Sequence, residues 1–281
     1  MNIIRARKIK SFIILSLAVA ATLLGFFWLI FILFDVIVNG ISALGPAFFF
    51  NDPAPVGMVG GGLRNAIVGQ FLIVFVATLI GVPIGLLGGT FIAEYTRGKP
   101  YARIISVLSD TMVSVPSIVV GTFIYALLVK PFGHFSGWAG AVALAVIMVP
   151  VVLRTTEDML KLVPWSQREA AFALGAPTYK VIFKVTYRGA SAGILTGVLL
   201  AISRIVGETA PLLFTSFNSP YFSTDMNGSM ASLTVTIFQY AMGPYAEWHA
   251  QAWAASLLIA LAILVLTLTG RFIIRWKYGE R

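Results

Sequence analysis

The sequence predicts an all-α membrane protein, one domain of about six transmembrane helices, and three observations carry that expectation. Of 281 residues, 58% are hydrophobic and only 11% charged, with a mean hydropathy of +0.91. A soluble domain of this length needs a far larger charged shell. The apolar residues also gather in runs of about 20 or more, enough at about 1.5 Å per residue to cross a hydrocarbon core roughly 30 Å thick. These runs do not alternate with polar residues, which excludes the strands of a membrane barrel.

The expected crossing segments are 12–37, 67–93, 104–129, 138–153, 190–215 and 252–274. Each break carries turn or charge signals: Asn39-Gly40, Thr96-Arg97-Gly98-Lys99-Pro100, Lys130-Pro131-Phe132-Gly133, the charged stretch 154–189, and Asn218-Ser219-Pro220. The fourth segment is the shortest, because Arg154 and Glu157 are expected to close it. Within 216–250, the apolar stretch 233–242 is too short to cross and reads as a surface helix. At the N-terminus, Ala18-Val19-Ala20 resembles a signal-peptidase site. The apolar run continues through Leu23 to Ile37, however, so an uncleaved first segment is expected.

The placement of the 20 Lys and Arg residues predicts orientation. Seventeen lie before the first segment, in the second and fourth loops or in the tail, whereas the first and third loops hold only Arg64 and Lys130. By the positive-inside rule both termini are cytoplasmic. The formal net charge of +9 sits at the ends of apolar runs, not in a basic stripe, so nucleic acid is not an expected partner and membrane lipid is. With no cysteine, a disulfide framework and a thiol nucleophile are excluded. No metal cluster and no catalytic constellation is legible, so the chain does not read as an enzyme. A phosphate-binding G-x-x-x-x-G-K-[ST] loop is missing: Gly98-Lys99 is followed by Pro100, and Ala93 stands at the first glycine position. Any nucleotide chemistry is expected on another chain.

The stretch 154–189 contains the densest local signals. Ser166 and Glu169 have capping-box spacing, and the helix expected at 167–174 stops at Gly175, with Pro177 beyond. Thr178 is expected to cap a second helix over 179–185, giving a helix–turn–helix hairpin slimmed by Ala170, Ala171 and Ala173. Two readings are open: a loop that orders the bundle ends, or a docking element.

Ionisable residues at membrane depth cost about 2.5–3.5 kcal/mol each on insertion scales, which makes them functional candidates. Arg204 and Glu208, spaced i,i+4, are expected near the middle of the fifth segment on one helix face. They either neutralise each other in the bundle core or offer a forked guanidinium to a passing oxyanion, with Glu208 tempering the grip. Arg154 and Glu157 repeat the chemistry at i,i+3, as a solvated interface pair or as a second station on an anion path. Glu94 and Asp110 read as snorkelling or capping groups near segment ends. Pro83, Pro116 and Pro211 mark kinks or broken helices.

Glu169-Ala170-Ala171 with Gly175 resembles the EAA loop of ABC-importer permeases, the element that docks into the ATPase subunit. The loop departs from that pattern at Val185-Thr186-Tyr187-Arg188, where the usual proline is missing. Arg154-Thr155-Thr156-Glu157 and Arg204-Ile205-Val206-Gly207-Glu208-Thr209-Ala210-Pro211-Leu212 resemble the phosphate-specific ABC permeases. Met112-Val113-Ser114-Val115-Pro116-Ser117-Ile118-Val119-Val120-Gly121 and Phe135-Ser136-Gly137-Trp138-Ala139-Gly140 are similar too, and Leu162-Val163-Pro164 favours the PstA type. The likeness runs from about residue 60 to the end of the chain. It implies an ABC importer permease fold with a cytoplasmic coupling hairpin, in the bacterial inner (plasma) membrane. It also implies a heterodimeric pore with a sister permease of the PstC type, an ABC ATPase dimer that binds ATP and magnesium, and a periplasmic phosphate-binding protein, with no cofactor held by this chain. In that frame the pairs 154/157 and 204/208 bear on transport. A gradient-driven anion carrier, a channel without ATPase partners, or the same machine for sulfate or molybdate are the alternatives.

Overall fold

The computed structural model describes residues 2–55, 58, 60–96 and 99–278. Arg97 and Gly98 of the expected second break, and Arg281 of the basic tail, lie outside the described residues. Among the described residues, five helices are long and apolar enough to cross a membrane: α1 within Asn2–Ile41, α2 (Arg64–Tyr95), α5 (Gly137–Leu162), α7 (Thr178–Val206) and α10 within Ala246–Tyr278. The pair α3 (Pro100–Ser114) and α4 (Ser117–Phe132) makes a sixth if it is counted as one bent crossing. The chain is thus a multi-pass helical membrane protein.

The segment expected at 104–129 is two helices bent by 99°. Pro116 causes the break: the residue before a proline is driven out of the helical region, and Val115 is extended at φ −67°, ψ 131°. The segment expected at 138–153 does not close at Arg154; α5 continues to Leu162, so Arg154 and Glu157 are helical residues in its last third. Charges alone do not stop a helix, and these find partners. The segment expected at 190–215 also divides. Helix α7 ends at Val206, and a separate helix α8 (Ala210–Thr215) starts with Pro211 in its first turn. Continuing α7 through Pro211 would lose a backbone donor and press the ring on the carbonyl of Gly207, so the chain uncoils at 207–209.

Helix α5 is the centre of the bundle, with 67% of its most apolar window buried against none for α1. It packs on α2, α7, α3, α4 and α8. Its closest neighbour is α2, which turns a stripe of small residues towards it, Gly81, Gly85 and Gly89 at i,i+4,i+8. A Cβ at Gly85 would lie 2.6 Å from Cβ of Val152, and one at Gly89 would lie 2.5 Å from the carbonyl oxygen of Leu153. The two backbones therefore approach as closely as glycine permits, and dispersion contacts along the stripe hold them as one unit. Ile73, Ala77, Leu144, Met148 and Val152 fill that seam.

Helix α1 leans on α10 at Gly40, where a Cβ would lie 2.8 Å from Cβ of Leu257. Helix α9 (Leu233–Ala241) is not the surface helix expected for 233–242. It begins with Ser232 accepting from the amide of Val235, and it buries Leu233, Thr234, Val235 and Thr236 against α2, α8 and α10.

Candidate functional site

The two arginine–glutamate pairs occupy different settings. Glu157 is 1% exposed on α5, beneath the α3 interface. Its carboxylate accepts from Arg154 Nη1 at 3.2 Å and from Lys161, and Ser106 Oγ of α3 donates at 3.0 and 3.1 Å to its two oxygens. Arg154 is 38% exposed and has two further carboxylates beside it. Asp158 Oδ2 lies 3.4 Å and Asp110 Oδ1, on α3, 3.5 Å from its Nε. Two cations among three carboxylates leave a formal charge of −1 on the cluster. Asp110, expected as a capping or snorkelling group, is thus a partner of Arg154. Ser106 was not legible as a site residue, because only the α3–α5 packing brings it to Glu157, whereas Asp158 and Lys161 stand i,i+4 from Arg154 and Glu157 on α5 and were missed because that helix was expected to close at Arg154.

Arg204 and Glu208 are not on one continuous helix. Arg204 stands in the last turn of α7 and Glu208 in the uncoiled link, with Nε 3.7 Å from Oε1. Side chains from two other helices hold the link open. Gln70 Nε2 of α2 donates to the carbonyl of Val206 at 3.2 Å, and Thr234 Oγ1 of α9 to that of Glu208 at 3.0 Å. These bonds replace the intrahelical partners lost at the break. Beyond the link, Pro211 lies against Gly121 of α4, where a Cβ would come within 2.6 Å of the proline Cα. Both broken segments meet there.

Arg204 borders a cleft of ≈230 Å³ formed at the bend between α3 and α4. Met112, Val113, Ser117 and Ile147 are among its walls, so the guanidinium faces an otherwise almost apolar hollow. In such surroundings a fixed positive charge interacts more strongly with an anion than in water. Ile147 and Arg154 are seven residues apart on α5 and share a face, roughly 10 Å along the axis at about 1.5 Å per residue. One stripe of α5 therefore joins the Arg204 cleft to the Arg154 cluster. Among the described residues no ion pair links the two arginine–glutamate pairs directly.

The hairpin is formed by α6 (Trp165–Ala173) and the start of α7. Ser166 does not cap it: Pro164 occupies the cap, without a side-chain bond, and Ser166 is inside the helix. With proline's φ preset, the helix starts two residues earlier than the capping-box spacing suggests. The C-terminus follows the expectation. Gly175 takes φ +76°, its amide donates to the carbonyl of Phe172 at 2.9 Å, and the amide of Ala176 to that of Ala171 at 3.1 Å, a Schellman end. Thr178 is likewise within the second helix, which runs on through a π-helical turn (Ile182–Thr186) into the membrane segment and does not stop near 185. Glu169, Ala170 and Gly175 are exposed and Ala171 half-buried, with Leu174 at 89% and Tyr179 at 57% exposure beside them. An acidic and apolar tip of this kind is suited to a protein partner.

Arg168 was missed altogether. It points away from that tip and is buried with Glu94, their side chains 4% and 6% exposed. Arg168 Nη2 lies 2.7 Å from Glu94 Oε1 and Nε 3.2 Å from Oε2, a two-pronged contact. Glu94 belongs to the last, π-helical turn of α2 and is neither snorkelling nor a cap. Nothing local marks this pair, whose members are 74 residues apart.

Residues 81–277 match the family model described as "Binding-protein-dependent transport system inner membrane component". The chain is 49% identical to the phosphate transport system permease protein PstA of Yersinia pestis over 96% of this chain and 92% of that protein. It is 50% identical to that of Pasteurella multocida over 94% of each. Among solved structures, the MetNI methionine ABC transporter in an inward-facing conformation shares the fold, with a TM-score of 0.61 at 21% identity over 76% of this chain and 94% of that one. The chain belongs to the family of binding-protein-dependent transport system inner membrane components.

Proposed function

We propose that this chain forms half of the pore of an ATP-driven importer for inorganic phosphate. The observation that carries the reading is the near 50% identity, over almost the whole chain, to permeases of phosphate transport systems. The geometry supports it, since two arginines border one face of α5, each with a carboxylate near enough to compete for its guanidinium. Phosphate matches that fork bidentately, and a neighbouring carboxylate shortens its stay. A pore needs such weak stations, because a bare arginine in an apolar cleft would hold the anion.

In this reading the other half of the pore is a sister permease of the PstC type. An ABC ATPase dimer binds nucleotide and magnesium and docks on Glu169, Ala170, Ala171 and Gly175, and a periplasmic phosphate-binding protein delivers the cargo. The membrane is the bacterial inner membrane, with both termini and the hairpin cytoplasmic, as the basic loops favour. Closure of the ATPases moves the hairpin, and the bend between α3 and α4 opens or shuts the path past Arg204 and Arg154. A gradient-driven carrier has no use for the exposed hairpin.

Labelled phosphate uptake at low concentration tests this, in cells that lack the native gene and carry the wild-type chain or Arg204→Gln. Uptake restored by the wild type alone, and indifferent to excess sulfate or molybdate, is the expected result. Wild-type rates with Arg204→Gln at normal protein level would remove Arg204 from the pathway, and loss of uptake to a competitor would move the cargo to another oxyanion.

A further inference from the structure

Arg168 uses its donors on α2 and on the end of α5 at once. Besides the fork to Glu94 of α2, Nη1 donates to the carbonyl of Val163 at 2.6 Å and Nη2 to that of Leu160 at 2.9 Å. Leu160 is in the last turn of α5 and Val163 caps that helix, so Arg168 donates to two carbonyls at the α5 end, that of Leu160 in addition to its bond from the Val163 amide at 3.3 Å. The guanidinium also lies 5.5 Å from the ring centroid of Trp165. The first helix of the hairpin is thereby riveted to the same ends of α2 and α5 whose glycine seam makes them one unit. The second helix of the hairpin is continuous with α7 and hence with Arg204.

Burying a charge pair is costly even when it is well bonded, and such a pair adds little stability over an apolar contact. What a two-pronged, nearly donor-saturated arginine provides is a fixed angle between the elements it holds. We infer that the Arg168–Glu94 pair is the joint through which movement of the hairpin reaches the α2–α5 unit, making Arg168 a positioning residue for transport. The inference rests on the reading above, in which an ATPase docks on the hairpin. The hairpin then has two outputs. One passes through Arg168 into α2 and α5, six residues from Arg154 at Leu160, and the other passes through the covalent run of α7 to Arg204. Loss of the joint breaks the first output while the residues of the exposed docking tip are themselves unchanged.

The test uses the complete transporter in proteoliposomes, with ATP hydrolysis and labelled phosphate uptake measured on the same vesicles. The wild type is compared with Glu94→Gln, Arg168→Lys and Glu94→Asp. Lysine keeps the charge but loses the fork and the span to both carbonyls, whereas aspartate retains a carboxylate partner. The expected result is ATP hydrolysis near the wild-type rate for Glu94→Gln and Arg168→Lys, with phosphate moved per ATP lower by roughly tenfold, and a smaller drop for Glu94→Asp. Hydrolysis and uptake falling in proportion, an unchanged ratio, or failure of all three variants to assemble would make the pair a folding contact and overturn the joint. Wild-type vesicles in which ATP drives no phosphate uptake would sink the importer reading, and the joint with it; coupled wild type with equally coupled variants sinks the joint alone.

Discussion

Arg154 of α5 and Asp110 of α3 face each other across the helix interface, Nε 3.5 Å from Oδ1, and this contact sets the charge of the larger cluster. With Asp110 in place, two cations sit among three carboxylates; if α3 withdraws, Arg154 and Lys161 balance Glu157 and Asp158. Withdrawal of α3 would therefore take the cluster from a formal charge of −1 to neutral. The 99° bend at Pro116 makes α3 and α4 two separate helices.

Asp110→Asn isolates that effect. Both partners are substantially exposed, so the contact is worth at most about 1 kcal/mol, or roughly fivefold in occupancy of Arg154 by an anion. The expected outcome is a maximal uptake rate lower by about twofold to fivefold, from slower release, with the protein level unchanged. Uptake kinetics over a range of phosphate concentrations check it, and an unaltered maximal rate rejects competition by Asp110.

The two glutamates should differ in their structural weight. Glu157 is 1% exposed with three donor residues, whereas Glu208 is 16% exposed with one long contact. Glu157→Gln is expected to destabilise the protein by about 1–3 kcal/mol, because its buried charge-assisted bonds weaken together. Glu208→Gln should cost under about 1 kcal/mol. Thermal unfolding in detergent distinguishes them, and equal losses would contradict the burial argument.

Gly89→Ala should wedge the central seam. The new methyl would meet a backbone oxygen, which cannot rotate away as a side chain can. A loss of about 1–3 kcal/mol is expected, against a neutral or slightly favourable effect for Gly25→Ala in α1, where a Cβ meets nothing within 4 Å. The same unfolding measurement on the isolated chain reads both.

At the hairpin tip, Gly175→Ala acts through backbone conformation alone, since its Cβ would enter open space while φ is +76°. The expected cost is about 1–2 kcal/mol, with Gly175→Asn milder. The readout is recovery of the ATPase subunit with the tagged chain, lowered for alanine more than for asparagine. Equal recovery from both would mean that the left-handed turn does not shape the docking surface.

Much of the fold was legible because its signals act over one run or one turn. Run length and lack of charge mark helices that can cross a bilayer, and Gly175 followed by Pro177 marks where one helix must end. Even Pro116 and Pro211 announced broken helices. Their consequences were not local, because how far a chain bends at a proline depends on what satisfies the freed backbone groups. Here that is Gln70 and Thr234 at the 207–209 link, from helices well separated in sequence. The expected capping roles of Ser166 and Thr178 failed for a related reason: a preceding proline offered a start that needs no side-chain cap.

By itself, then, the sequence determined a helical membrane chain with a turn-bearing charged loop, and it singled out Arg154, Glu157, Arg204 and Glu208 by their rarity in apolar surroundings. Tertiary structure alone decided their company: Asp110 and Ser106 brought to α5 by α3, a cleft at a 99° bend before Arg204, and Glu94 under Arg168. The physical reason is reach. Hydrophobic transfer and backbone preference belong to each residue and its near neighbours, whereas hydrogen bonds and ion pairs require groups within a few ångströms, and only the packed bundle sets which groups those are.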